Sequence, residues 1–276
     1  MKKDTCGPNQ ELEYTCYNRE SLLKLRSLWN ARHPDAQITT KDSKEIWKAI
    51  KKSLSHTCEN ESCWLRQNFA KHGLNNELKY YTFAPKAPVE WKKNKNEWLT
   101  SVDILNVMRQ YENKDKSFMF LGPSPIDFNS KKLYGECVWD ELCHFNLLDV
   151  LKKGKKKVGI VFNLDEHWKD GSHWVAMFVD IKTKQILYFD SGGDDIPKEI
   201  EDLKEKIIHQ GKQINIDFRF DKNHPFEHQM EDTECGIYCI YFIVTMIETP
   251  NFKLFKSKRI PDKEMEKYRS IYFSQG

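Results

Sequence analysis

Apolar residues in the first third of the chain recur at helical spacing. Leu22, Leu23, Leu25, Leu28 and Trp29 fall within Glu20–Trp29, and Ile46, Trp47, Ile50 and Leu54 repeat the pattern. Ser62 stands where an N-cap would open a third helix through Cys63, Trp64 and Leu65 to Phe69. The stretch Phe83-Ala84-Pro85-Lys86-Ala87-Pro88 then interrupts regular structure twice, because each proline biases its predecessor away from helix. The pattern predicts a helical N-terminal arm over 1–88 and a second domain over 89–276. No repeat or low-complexity block is visible.

The second domain alternates periods. Trp98–Tyr111 reads as an amphipathic helix capped by Thr100 or Ser101, and Phe118–Leu121 as a short strand stopped at Gly122-Pro123. Val138–Leu151 reads as helix and the lysine-rich segment 152–157 as a solvated turn. Strands are predicted at Val158–Phe162, Trp174–Ile181 and Gln185–Phe189, then a polar helix over Pro197–His209 and a strand over Ile214–Phe220. Gly236–Ile247 is apolar on every side, so it must be a buried helix. Together these elements predict an α+β domain, a central mixed sheet flanked by helices with one helix inside.

Composition narrows the function classes. The 44 basic and 41 acidic residues leave a formal charge of +3, which gives no support to a dedicated nucleic-acid partner. The 16 Phe, 11 Tyr and 8 Trp argue against global disorder. No apolar run approaches the ~18–20 residues of a membrane span, and the start lacks a signal-peptide core, so a soluble, intracellular protein without a membrane partner is expected. Eight cysteines are too sparse for a disulfide scaffold, and a reducing compartment would keep them as thiols. Cys58, Cys63, Cys137, Cys143 and His144 are the only loose zinc set; they lack paired C-x2-C knuckles, so no metal or other cofactor is expected.

The chemistry gathers around Cys235. It lies where a polar stretch gives way to the buried helix, and a thiol in a first helical turn meets unpaired N–H groups that favour the thiolate. Gly236 beside it lets another group approach closely, whereas Cys239, one turn on, reads as an inert core residue. A nucleophilic cysteine needs a base and a third group to orient that base. His173 opens a strand and Asp190 closes the next. If Val179 faces Lys184 across the turn, His173 and Asp190 are opposed, with neighbouring Cβ atoms. His167-Trp168 repeats the dipeptide but lies in a polar loop, with no carboxylate opposite in that register. Gln229, six residues before Cys235, offers an amide for a developing oxyanion.

His173-Trp174, Asp190-Ser191 and Gln229 followed by Glu234-Cys235-Gly236-Ile237-Tyr238 resemble the ubiquitin-like-protein protease clan, which includes SUMO-deconjugating enzymes and adenovirus protease. Within it, the overall length, the Glu61-Ser62-Cys63 segment, the run Gly171–Asp180 and the C-terminal Lys258–Met265 are similar to the polyprotein-processing protease of African swine fever virus and relatives in other large DNA viruses. The resemblance implies a papain-like, adenain-like core with His173 as base, Asp190 as its orienting carboxylate, Cys235 as nucleophile and Gln229 as oxyanion donor. It implies that Trp174 roofs a channel for a Gly-Gly segment and that Trp98 forms the opposite wall. The implied substrate is a viral structural polyprotein with Gly-Gly-Xaa sites, met in host cytoplasm or virion. A SUMO or ubiquitin-like deconjugase, an acetyltransferase of the same clan and a non-enzymatic zinc module are the alternatives. The internal pair Gly192-Gly193 lies inside the core, so self-processing is not expected.

Overall fold

The computed structural model describes residues 4–275. The chain forms two compact units, one made of the residues up to Ala87 together with those from Ser270 onward, the other of Pro88–Arg269. The first contains α1 (Arg19–Arg32), α2 (Ser43–Ser53), a 3-10 helix (Glu61–Arg66) and α3 (Asn76–Tyr80). Asn18 and Asp42 cap α1 and α2 by accepting the N–H groups of Ser21 and Glu45. Leu22, Leu25, Trp29, Ile46, Ile50 and Trp64 pack as its core. Asn60, rather than Ser62, caps the third segment, which is a tighter and shorter helix than its pattern suggests. The last residues complete this unit. Ser274 takes the N–H of Ala87 and donates its own to Pro85.

The second unit begins with α4 (Ser101–Lys114), β1 (Phe118–Pro125), α5 (Asp140–Cys143) and α6 (Leu147–Lys152). There follow β2 (Lys157–Asn163), β3 (Trp174–Asp180), β4 (Gln185–Phe189), α7 (Lys198–Gln213) and β5 (Arg219–Lys222). Three helices end the chain: α8 (Cys235–Glu248), α9 (Leu254–Ser257) and α10 (Asp262–Tyr272). The five strands lie in the order β1-β2-β3-β4-β5. The outer pairs are parallel and the inner ones antiparallel, so the sheet is mixed. Every residue of β3 is buried, because helices cover both faces. Val175, Met177 and Val179 join Leu203 and Ile207 of α7 in one core cluster. On the α8 side, Phe189 stacks on Phe242 at 5.1 Å. Full burial of each such side chain contributes roughly 1.5–3 kcal/mol, which lets this sheet hold a rigid edge at the ends of β3 and β4.

Several expectations are corrected. The helix predicted over 138–151 is two short helices, because Asn146 turns out of the helix and caps α6 by accepting the N–H groups of Leu148 and Asp149. The strand predicted over Ile214–Phe220 is displaced to β5, which shares only Arg219 and Phe220 with it. Ile214 and Ile216 donate back to Gly211 and finish α7, with Asn215 at φ +60°. β1 runs past Gly122-Pro123 to Pro125 with a shift in its pairing there. The cysteines are not all thiols. Cys6–Cys16, Cys58–Cys63 and Cys137–Cys143 are disulfides, and Cys235 and Cys239 are free and buried. The fold brings together partners that spacing alone did not pair. The same bonds occupy the sulfurs of the zinc set, whose histidine, His144, binds Asp140 at 2.9 Å instead. Among the described residues no helix is long and apolar enough to cross a membrane.

Candidate active site

Cys235 is the first residue of α8, where the leading N–H groups have no intrahelical acceptor. It is 1% exposed, and the backbone at Gly236 presses against Leu99, so a Cβ there would stand 3.1 Å from that side chain. The helix is anchored from behind. Tyr238 donates its hydroxyl to the carbonyl of Ile260 at 2.7 Å. Cys239 is fully buried, and burial together with nearby Cys235 and Asp190 pushes its thiol well above the ordinary range.

His173 immediately precedes β3 and Asp190 immediately follows β4. The ring Nε2 of His173 lies 2.6 Å from Asp190 Oδ1. The route to this contact differs from the one the turn suggested. Val179 faces Ile186, not Lys184, because the connection between the strands is two residues longer than a tight turn, with Lys184 at φ +56°. A two-residue shift keeps every side chain on its original face, so His173 reaches Asp190 as a diagonal neighbour. Burial alone would press the imidazole pKa down. Hydrogen bonds to Asp190 and Cys235, and their negative charges, outweigh it and lift the ring to about 10. With Nε2 on the carboxylate, Nδ1 is the nitrogen left for the sulfur.

Asp190 is held from several directions. Its Oδ1 also accepts the N–H of Gly192 at 2.8 Å, and its Oδ2 is buried without a partner. Asn223, just after β5, grips its backbone: Oδ1 accepts the Asp190 N–H at 2.9 Å and Nδ2 donates to the Asp190 carbonyl at 2.6 Å. Gly193, at φ +78°, packs so tightly on Glu227 that a Cβ would lie 2.9 Å from its nitrogen. Gly192-Gly193 thus shape the carboxylate's turn. Ser191 ties in the next loop, accepting the N–H groups of His228 and Gln229 through its carbonyl and donating its hydroxyl to Gln229 Oε1 at 2.7 Å. One amide proton of Gln229 goes to the carbonyl of Glu231. Arg259 and Asp262 bind the same loop through His228 O and Met230 N.

Trp174 begins β3 and donates its indole N–H to the carbonyl of Leu99 at 3.1 Å, so its plane is fixed beside the head of α8. Trp98 and Trp174 line one groove of about 790 Å³. His167 lies in that groove too, and here the sequence reading is corrected. It has a carboxylate, Asp127, bound at 2.7 Å to Nδ1, from a segment forty residues away that a hairpin register could not reveal. Asn223, Asp127, Asp262 and Arg269 were likewise missed. Only the similarity around Lys258–Met265 pointed toward any of them.

Known proteins match this chain over the same elements. Residues 154–275, which contain His173, Asp190, Gln229 and Cys235, match the family described as Ulp1 protease family, C-terminal catalytic domain. A candidate thiol protease of Acanthamoeba polyphaga mimivirus is 28% identical over 292 residues, covering 97% of this chain and 92% of the relative. A SUMO-1 cysteine protease of African swine fever virus, from a Kenyan pig isolate, is 27% identical over 266 residues, covering 87% and 91%. A crystal structure of an African swine fever virus protease superposes with a TM-score of 0.65 at 25% identity, covering 86% of this chain and 93% of that one. Residues 154–275 are therefore similar to the catalytic domain of the Ulp1 protease family, in a chain similar along most of its length to viral cysteine proteases.

Proposed function

We propose that the protein is a cysteine endopeptidase that cuts after Gly-Gly in a viral structural polyprotein. The observation that carries this reading is the His173 ring, bound to Asp190 and engaging Cys235 at the head of a buried helix. His173 rests as the imidazolium, its Nδ1 holding the proton that Cys235 has given up, and the sulfur attacks the carbonyl of the glycine before the scissile bond. The N–H of Cys235 and the second amide proton of Gln229 receive the oxyanion. The imidazolium gives its proton to the leaving amine. Water, deprotonated by the same ring, then hydrolyses the thioester and frees the thiol. Asp190 holds the ring in one orientation throughout.

The locked indole of Trp174 supports glycine selectivity, since a rigid aromatic lid next to the nucleophile excludes residues with a Cβ from the space it covers. Trp98 supplies the facing wall. The arm over 1–88 would hold substrate or scaffold. Cleavage of Gly-Gly-Xaa peptides tests this: Cys235→Ser and His173→Arg should each abolish it while the protein stays folded, and retained cleavage in either would end the assignment. The name of the African swine fever virus relative favours one second reading, removal of a SUMO-like protein from a conjugate. A folded SUMO or ubiquitin fusion cut far faster than its tail peptide would select that reading.

A further inference from the structure

The sulfurs of Cys137 and Cys143 have an imidazole and an ammonium beside them. His144, next in the chain, sets its ring nitrogens 3.9 and 4.0 Å from Cys137 Sγ. Lys131 Nζ lies 2.9 Å from Cys137 Sγ and 3.6 Å from Cys143 Sγ. Among the described residues, Cys137, Cys143 and His144 are the one group of three metal-ligating side chains whose ligand atoms all fall within 4.8 Å of one another. Shielding is partial: Cys137 is 7% exposed, Cys143 9% and the His144 side chain 63%.

The spacing fits zinc. A tetrahedral ion with bonds of about 2.3 Å to sulfur and about 2.0–2.1 Å to nitrogen sets those ligands about 3.6 Å apart. Cys137 Sγ and His144 Nε2 already stand near that separation. The histidine is also oriented for the task. Its Nδ1 is bound to Asp140 Oδ1 at 2.9 Å, which leaves Nε2 for a metal, and a carboxylate behind a ligating imidazole fixes the ring and raises its basicity. No C-x2-C knuckle announces the set because the fold assembles it. The antiparallel bridge between Lys131 and Cys137 holds one sulfur beside the end of α5, which carries the other two ligands.

We propose that Cys137 and Cys143, once reduced, bind Zn2+ together with His144 Nε2, water taking the fourth position. The loop they close is then braced by a disulfide under oxidising conditions and by a metal under reducing ones. Two low-molecular-weight thiols supply the reduction: they give two electrons and two protons to the S–S bond and leave as their own disulfide. Lys131 receives the negative charge that the departing sulfur gains. Zn2+ displaces the two thiol protons to solvent, and the flexible Lys131 side chain yields its place to the ion. Lys132, Val138 and Trp139 of the same loop line the groove beside Trp174, so the brace acts on a wall of that groove.

The test uses full-length Cys235→Ser, so that the thiol of the candidate active site takes no metal, with and without a phosphine reductant. After equilibration with Zn2+ and gel filtration, a chromogenic chelator should recover about one Zn2+ per chain from the reduced protein and none from the oxidised one. Co2+ in its place should show a thiolate-to-metal absorption band. Adding Cys137→Ser/Cys143→Ser should abolish uptake, and adding Cys58→Ser/Cys63→Ser should leave it unchanged. Asp140→Asn, which keeps all three ligands, should weaken binding about tenfold to a hundredfold, and His144→Ala, which keeps both sulfurs, at least as much. Failure of the reduced protein to retain zinc, equal uptake by the oxidised protein, or uptake that follows Cys58 and Cys63 instead overturns the proposal. So does a Cys137–Cys143 bond that the reductant leaves closed.

Discussion

Arg269→Met offers the most quantitative check on how Cys235 is held. Glu234 directly precedes Cys235, and its carboxylate is 1% exposed. The Arg269 guanidinium grips both of its oxygens, at 2.7–3.0 Å, and donates further to the carbonyls of Glu97 and Thr233 while lying 4.5 Å over Trp91. Removing the arginine strands a buried charge, and breaking such a pair from one side costs about 3–5 kcal/mol. Against a total stability of roughly 5–15 kcal/mol, that is a large share. Urea unfolding followed by tryptophan fluorescence should show the unfolding free energy fall by that amount, through a lower midpoint at constant slope. Because Glu234 sets the entry of Cys235 into α8, kcat should fall as well. Replacing both partners, Glu234→Leu/Arg269→Leu, should recover much of the stability, since an apolar pair leaves no charge unpaired. A loss below ~1 kcal/mol in the single variant, or a double variant no better than the single, would refute the argument.

Other consequences are equally accessible. Asn223→Ala should lower kcat on the order of tenfold to a hundredfold with little change in KM, by freeing the Asp190 backbone and so misplacing the carboxylate bound to the His173 ring; unchanged kcat would show that the clamp does not matter. His173 is raised from 6.5 to about 10 in the folded protein, so its contribution to stability is full below pH 6.5 and is lost as pH climbs through about 10. The same titration should give activity an alkaline limb that moves to lower pH in Asp190→Asn. Under native conditions iodoacetamide should modify Cys235 and spare Cys239, whose thiol is buried and raised. Intact mass without reductant should fall six hydrogens below the fully reduced value, for three disulfides.

The legible parts of the fold share a physical cause: their signals are local. β4 occupies the predicted residues, and α8 extends the predicted buried helix by one residue at each end, because unbroken apolar runs bounded by polar turns admit few other structures. The contact of His173 with Asp190 was foreseen through a register two residues off, and survived because strand faces repeat every second residue. A one-residue error would have hidden it. What stayed illegible depends on distant pairing. Asp127 under His167, Asn223 behind Asp190 and Arg269 on Glu234 each join segments whose proximity no periodicity encodes. The disulfides join cysteines only 10, 5 and 6 residues apart, and were missed instead through the expectation of a reducing compartment. Asn146 and Asn215 ended helices early or late through side-chain and backbone preferences that hydrophobic patterning does not weigh.

The account stands on Cys235 being the nucleophile that His173 activates. A peptide ending in Gly-Gly with an electrophilic warhead at the scissile carbonyl, followed by mass mapping of the adduct, tests that directly. The predicted result is a single adduct on Cys235, abolished by His173→Arg, with Cys239 untouched. An adduct on any other residue, or full cleavage of a Gly-Gly-Xaa peptide by Cys235→Ala, would contradict it.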